Sequence, residues 1–416
     1  RTILYLMRTL IKNIKNIIGI IEGPQTYKKA EALSNVEMLA NGYILIEDER
    51  ISDYGSMVDC PDNMDQVIDA TDSLVLPAWC DSHTHIVFAT TREKEFEMKI
   101  KGMSYEDIAA AGGGILNSAR KLKDCSEDDL YEMAKGRLEE VTQFGTGAIE
   151  IKSGYGLSLE SEVKMLRVIR RLSAYSPISI KSTFLGAHAI PTEYKKRRED
   201  YINLIINKML PKIAEEKLAD YCDVFCEKGF FTVDETDRIL KAAAKYGIPP
   251  KIHANQLSNS GAVQVGIANN AISVDHLEVM GDTEIEALLQ SNTIPTLLPS
   301  CSYYINIPYA PARKMIEAGL GITLATDFNP GSSPSGNIPF LLSLACTKMK
   351  LTPEEAFNAV TINGAYAMQL EDEVGSITKG KLANLIITKN IPNLTYIPYM
   401  FGTNHIEKVL VRGKVM

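Results

Sequence analysis

Leu76-Pro77-Ala78-Trp79-Cys80-Asp81-Ser82-His83-Thr84-His85 is an apolar, β-like run that ends in two histidines one residue apart. In an extended strand, side chains two residues apart project to the same side. Both imidazoles can therefore reach one metal ion. A lone pair of this kind occurs often by chance, so its weight depends on the rest of the chain. Beyond this first run, at 78–83, there are seven more β-like runs: 146–152, 178–185, 221–226, 251–253, 271–276, 293–298 and 322–327. Helical patterns separate them. Leu159 to Leu172 carries Val163, Leu166, Val168 and Ile169 near the 3.6-residue period, and Asp234 to Tyr246 opens with acidic residues and stops at Gly247. Strands alternating with such helices imply right-handed βαβ units and a parallel sheet. Eight units suffice to close a (β/α)8 barrel, with an open doubly wound sheet as the alternative.

The flanks read differently. Residues 41–46 and 50–55 form a hairpin pattern, and 67–70 reads as another strand. Near the other end, 383–388 and 408–413 are strand-like too. The expected fold class is α/β: a distorted TIM-like barrel over 76–379, with a small composite β-sandwich domain formed by 1–75 and 380–416. The Ile- and Leu-rich segment from Arg1 to Ile21 is interrupted by Arg8, Lys12 and Lys15. It falls short of the roughly 20 apolar residues of a spanning helix and reads as an edge strand or short helix.

The chain has 416 residues, 45% of them hydrophobic, and a net charge of -8. That is ample for a large core and a poor match to nucleic acid or anionic membrane partners. The 7 cysteines are scattered without a CxxC pair, as expected of reduced thiols in the cytoplasm. Gly112-Gly113-Gly114 is no phosphate loop, because no Gly-Lys-Ser/Thr comes after it. It reads as a mobile loop after the first barrel strand, able to act as a lid.

Five of the 6 histidines fall at the C-terminal ends of the expected barrel strands: His83, His85, His188, His253 and His276, with only His405 elsewhere. Barrel active sites sit at that face, and histidine is the commonest metal ligand. Asp327 ends the eighth strand. This ordered set resembles the amidohydrolase superfamily, and the likeness covers nearly the whole chain. Within it the chain looks most like the imidazolonepropionase family of histidine degradation. The segments that carry this are 87–92 (VFATTR), 112–115 (GGGI), 150–157 (EIKSGYGL), 183–188 (TFLGAH) and 327–332 (DFNPGS).

The resemblance implies one zinc or iron ion per chain, held by His83, His85, His253 and Asp327. It implies that a metal-activated water opens the ring of 4-imidazolone-5-propanoate to N-formimidoyl-L-glutamate, with His276 and Asp327 in the chemistry. Arg92, Tyr155 and His188 would meet the substrate, Arg92 as a planar, bidentate partner for its carboxylate. Asn329, Gly331 and Ser332 would line the loop after strand eight, where backbone N–H groups can face an anion. Some members carry an acidic residue three places after the strand-five histidine. Here Gln256 stands there. It cannot accept a proton, so it can only position water or ring, and the general-base role passes to Asp327 or His276. Two-metal relatives place a modified lysine at the end of strand four. This chain has Lys228 one place late and Lys152 on strand two, which favours one metal.

Two rivals remain. A related hydrolase could act on guanine or dihydroorotate; Arg92 with Tyr155 favours a carboxylate-bearing substrate, which counts against guanine. A non-catalytic barrel would be expected to lose metal ligands, and none is missing. The resemblance also suggests a homodimer, with no nucleic-acid or membrane partner.

Overall fold

The computed structural model describes residues 7–62, 64–104, 107–108 and 111–416. Residues 1–6, the start of the expected N-terminal segment, lie outside that range. Eight parallel strands are hydrogen-bonded in chain order: β6 (Trp79–Thr84), β7 (Thr146–Lys152), β8 (Ser179–Ala187), β9 (Tyr221–Cys226), β10 (Pro250–Ala254), β11 (Ser273–His276), β12 (Ile294–Leu297) and β13 (Thr323–Leu324). The ends meet through a parallel bridge between Thr84 and Phe328. Asp327 N donates to His83 O at 2.9 Å and His85 N donates to Phe328 O at 2.8 Å. Strands one and eight are thus joined at the point where the site begins.

β13 is much shorter than the expected run. Thr326 turns out of the ladder because its N and Oγ1 both donate to the buried Asp81 carboxylate, at 3.0 and 2.6 Å. Asp327 then takes a positive φ of 53°. The helices between strands start where the sequence supplies caps. Ser158 caps Leu159–Tyr175, and Thr232 with Glu235 forms a capping box at Val233–Ala244. Gly247, at φ 70°, makes the turn after the second of these.

The second sheet is mixed. Its order is β16 (Lys414–Val415), β15 (Ile406–Val411), β14 (Leu385–Asn390), β5 (Ser73–Pro77), β1 (Arg8–Ile20), β2 (Glu37–Glu47) and β3 (Arg50–Ser56), with β4 (Gln66–Asp69) also pairing β1. The N-terminal segment is therefore an interior strand, not an edge. It pairs antiparallel with β2 and parallel with both β4 and β5. A bulge at Asn13, φ 58°, lets the long strand serve two parallel partners in succession. Ile11, Ile14 and Ile17 bury one face against Ile44, Ile46, Val75, Leu385 and Leu410. Lys12 and Lys15 take partly buried positions, and Arg8 is exposed at the strand's start. Among the described residues, no helix is long and apolar enough to cross a membrane. All seven cysteines are free thiols.

Candidate metal centre and active site

The C-terminal rim of the barrel holds a cavity of about 380 Å³. His85, Arg92, Tyr155, His188, His253, Gln256, His276, Asp327, Asn329, Gly331 and Ser332 all line it. Every residue expected at the substrate therefore reaches one hollow. His83 lies just below, with no exposed surface.

The floor is a cluster of donor atoms. His83 Nε2 and His85 Nε2 are 3.3 Å apart, and each lies within 3.4 Å of Asp327 Oδ1. His253 contributes a ring nitrogen within 4.8 Å of those of His83 and His85. Ligands about 2.0–2.1 Å from a tetrahedral ion sit roughly 3.3 Å from one another. The spacing fits a divalent metal ion, and three imidazoles with one carboxylate form a donor set that such an ion accepts.

Protonation agrees with that reading. Burial holds His253 down to about 4, so its ring is neutral. Burial also lowers His85, although Asp327 pulls the other way. Asp327 stays anionic: burial opposes the charge, but hydrogen bonds from His83 and His85 push its pKa well below the usual carboxylate range. His83 differs. Burial disfavours its charge, yet Asp275 and Asp327 together raise it to about 9. The proton that they stabilise occupies the place a cation would take.

Beneath this floor lies a layer of charges that the sequence reading does not contain. Asp275 Oδ2 accepts from His83 Nδ1 at 2.5 Å, and Asp223 Oδ2 accepts from His253 Nδ1 at 2.9 Å. Each carboxylate fixes the tautomer that leaves Nε2 free for a metal. Lys152 Nζ bonds Glu150 at 2.6 Å and Asp223 at 3.0 Å, with Asp275 at 4.0 Å. Lys251 also pairs with Glu150. All of these side chains are fully buried. Glu150, Asp223, Asp275 and Asp327 carry four negative charges against two on the lysines, and Asp81 lies close by. The surplus is what a divalent cation offsets. Lys152 is thus an ion-pair partner, and Lys228 is exposed.

Part of the signal for this layer is present in the sequence. Charged residues inside apolar strands, as in Cys222-Asp223-Val224 and Val274-Asp275-His276, are almost never buried unless paired. What the sequence lacks is the register that sets His253 beside Asp275 and Lys251 beside Asp223.

The walls carry the remaining residues. His188 Nδ1 lies 2.9 Å from Gly154 O, so that nitrogen carries the hydrogen and Nε2 is left as an acceptor. Burial, then the neighbouring His85 and His253, push its pKa well down. Tyr155 is buried, which raises its phenol and keeps it a donor. Glu162 anchors the backbone of that loop, accepting from Gly156 N and Leu157 N at 2.9 and 3.1 Å. Gln256 donates from Nε2 to Cys301 Sγ at 3.6 Å. Its loop is clamped by Glu227, which accepts from Leu257 N at 3.0 Å. His276 has a strained φ of 90°. Its Nε2 lies 4.0 Å from Asp327 Oδ2, and its Nδ1 lies 3.5 Å from buried Glu278.

Two expectations need correcting. The N–H groups of Gly331 and Ser332 do not face the cavity as anion donors; both donate to Asn329 Oδ1 at 2.8 Å. Asn329 organises that loop from within, because a small buried turn must satisfy its own backbone. Arg92 is also not a free cation. Its Nε and a terminal nitrogen bond Glu95 Oε2 at 2.9 and 2.7 Å. Glu95 in turn accepts from Gly114 N at 2.9 Å. The triple glycine is thereby fastened to α1 (Glu93–Ile100), and Gly114, at φ 84°, opens helix Ile115–Asp124.

The comparisons with known proteins point the same way. The sequence profile of the amidohydrolase family matches residues 74–416. The imidazolonepropionase of Flavobacterium johnsoniae is 56% identical over 411 residues, covering 99% of this chain and all of the relative. That of Christiangramia forsetii is 54% identical with the same coverage. Among solved structures, an atrazine chlorohydrolase from Arthrobacter aurescens complexed with zinc superposes with a TM-score of 0.76 at 15% identity, over 98% of this chain and 94% of the other. A guanine deaminase of E. coli gives 0.75 at 13% identity, over 98% and 99%. At that identity these two speak for the fold alone. The chain belongs to the amidohydrolase family, in its imidazolonepropionase branch.

Proposed function

We propose that this enzyme hydrolyses the ring C–N bond of 4-imidazolone-5-propanoate to N-formimidoyl-L-glutamate, in the cytoplasm, with one zinc or iron ion per chain. The observation that carries it is the cavity with two unlike ends: imidazoles and Asp327 at the floor, and the basic side chains of Arg92 and Lys99 beside Gly331 in the loop after β13. A ring amide bearing a carboxylate fits that polarity. Guanine, which has no carboxylate, does not use the cationic end.

His83, His85, His253 and Asp327 would hold the ion. When bound, it supplies a Lewis acid that brings the pKa of a water toward neutrality. The chain's own groups do the rest. Asp327, kept anionic, accepts the proton of the attacking water at its outer oxygen and delivers it to the departing ring nitrogen. His276 donates a hydrogen bond from Nε2 to the oxygen of the attacked carbonyl as negative charge develops there. A positioned acid or base of this kind contributes about 10²–10⁴-fold. His188, with Nδ1 engaged by Gly154, accepts from a ring N–H at Nε2. Tyr155 donates to the substrate, and Gln256 orients the ring. Asn329, Gly331 and Ser332 shape the wall that Arg92 leans on. The same reading takes 76–379 as the catalytic barrel and 1–75 with 380–416 as its supporting unit, and it expects a homodimer.

Turnover of freshly prepared 4-imidazolone-5-propanoate, followed by loss of its ultraviolet absorbance, tests this with metal content assayed on the same sample. Chelator-sensitive turnover at about one metal per chain is expected. A metal-loaded protein that leaves this substrate untouched sinks the substrate assignment.

A further inference from the structure

Arg92 enters the cavity with its charge already engaged. Two of its N–H donors bond Glu95 Oε2, and both side chains are buried. That pair is close to neutral as seen by an incoming anion. A second cation lines the same cavity, about two turns further along α1. Lys99 is half-buried there, beside Gly331. Among the described residues its ammonium has one hydrogen-bond partner, the carbonyl oxygen of Gly331 at 3.3 Å. An ammonium has three hydrogens to donate, and no carboxylate lies within ion-pair distance of this one among the described residues. Burial, and then the charge of Arg92, lower its pKa. A ligand carboxylate placed between the two cations would relieve that opposition.

We infer that Lys99 is a specificity-determining residue, whose ammonium pairs with the carboxylate of the substrate and selects acids over neutral rings of the same shape. The inference rests on the reaction proposed above. Arg92 orients the carboxylate through its planar edge, and Lys99 supplies the uncompensated charge. The site therefore discriminates by charge at its mouth, away from the reacting atoms on the floor. A different role would leave the same contact: Lys99 could simply bolt α1 to the loop after β13 through Gly331. The two roles separate when the charge of the ligand is varied, because a bolt is indifferent to it.

The experiment compares wild type, Lys99→Met and Lys99→Arg as metal-loaded proteins. Calorimetry gives the affinity of each for 3-(imidazol-4-yl)propanoate and for its carboxamide, and kinetics give kcat and KM for 4-imidazolone-5-propanoate. A hydrogen bond to a charged group is worth enough to change affinity by roughly tenfold or more. Lys99→Met should lose at least that for the acid, leave the amide unchanged, raise KM and hold kcat. Lys99→Arg should restore preference for the acid. Equal losses for acid and amide, or no loss for either, overturn the inference. Absent turnover in wild type, with the acid preference intact and dependent on Lys99, would overturn the reaction assigned above and support charge selection by this residue.

Discussion

The floor and the mouth of one cavity are built on opposite principles. The floor stands on strand ends, and two of its imidazoles are held from beneath by other buried groups: His83 by Asp275, His253 by Asp223, and both carboxylates by Lys152. The mouth stands on α1 and the loop after β13, where Arg92 leans on Glu95 and Lys99, among the described residues, touches a single carbonyl. Chemistry needs donor atoms fixed to within fractions of an ångström, and crossing strands inside a closed barrel provide that. Recognition of a carboxylate tolerates looser placement and benefits from charge that is not yet satisfied. The contrast predicts that changes at the floor cost turnover and metal together, while changes at the mouth cost binding alone.

The largest effect should come from the ligands. His253→Ala or Asp327→Ala should reduce turnover to background and lower metal content, with circular dichroism unchanged because both residues sit at the rim. Full activity in a metal-poor variant would break the assignment of the floor. One layer down, Asp275→Asn or Asp223→Asn should weaken metal affinity by about 10–100-fold, read by competition with a chelator. Both also leave a buried lysine less compensated, a change that can cost about 3–5 kcal/mol when a buried pair is broken. A variant that loses stability but keeps its metal affinity would show that these carboxylates support the barrel without tuning the ligands.

At the mouth the expected effects are smaller and of another kind. A Cβ at Gly331 would collide with the Arg92 guanidinium. Gly331→Ala should therefore displace Arg92 and raise KM by about tenfold, the value of one charge-assisted hydrogen bond, with kcat nearly constant. A fall in kcat at unchanged KM would mean that the loop acts on the reacting atoms, and the division between floor and mouth would fail.

What the sequence discloses divides along the same line. His83, His85, His253, His276 and Asp327 are legible because each ends a β-like run, and local pattern is enough to find such ends. Asp223, Asp275, Glu150 and Lys251 show there only as charges inside apolar runs, because their pairing lies across strands, in a register that no local pattern states. Arg92 stands out in the sequence, but its tie to Glu95, three residues on, does not, and so nothing there points to a further cation. Lys99 stays hidden as one of two lysines in the mostly polar helix at 93–100. The N-terminal strand reads as an edge for a related reason. Its partners β4 and β5 lie far along the chain, and only the assembled sheet reveals that it is flanked on both sides.

Gln256 stands between the two regions and gives the finest test. It projects from the loop after β10, clamped by Glu227, and its amide reaches Cys301. If Asp327 handles the proton, a carboxylate at position 256 is superfluous. Gln256→Glu should then change kcat by no more than about threefold, small against the roughly 10²–10⁴-fold that a required general base supplies. The new carboxylate would share the cavity with the anionic Asp327, so any change should be a slight loss from like-charge repulsion. A rise in kcat approaching about 100-fold would mean that the floor lacks an efficient base and that the wall residue limits the rate. The proton path would then run through position 256, and the separation of chemistry from recognition would have to be redrawn one loop higher.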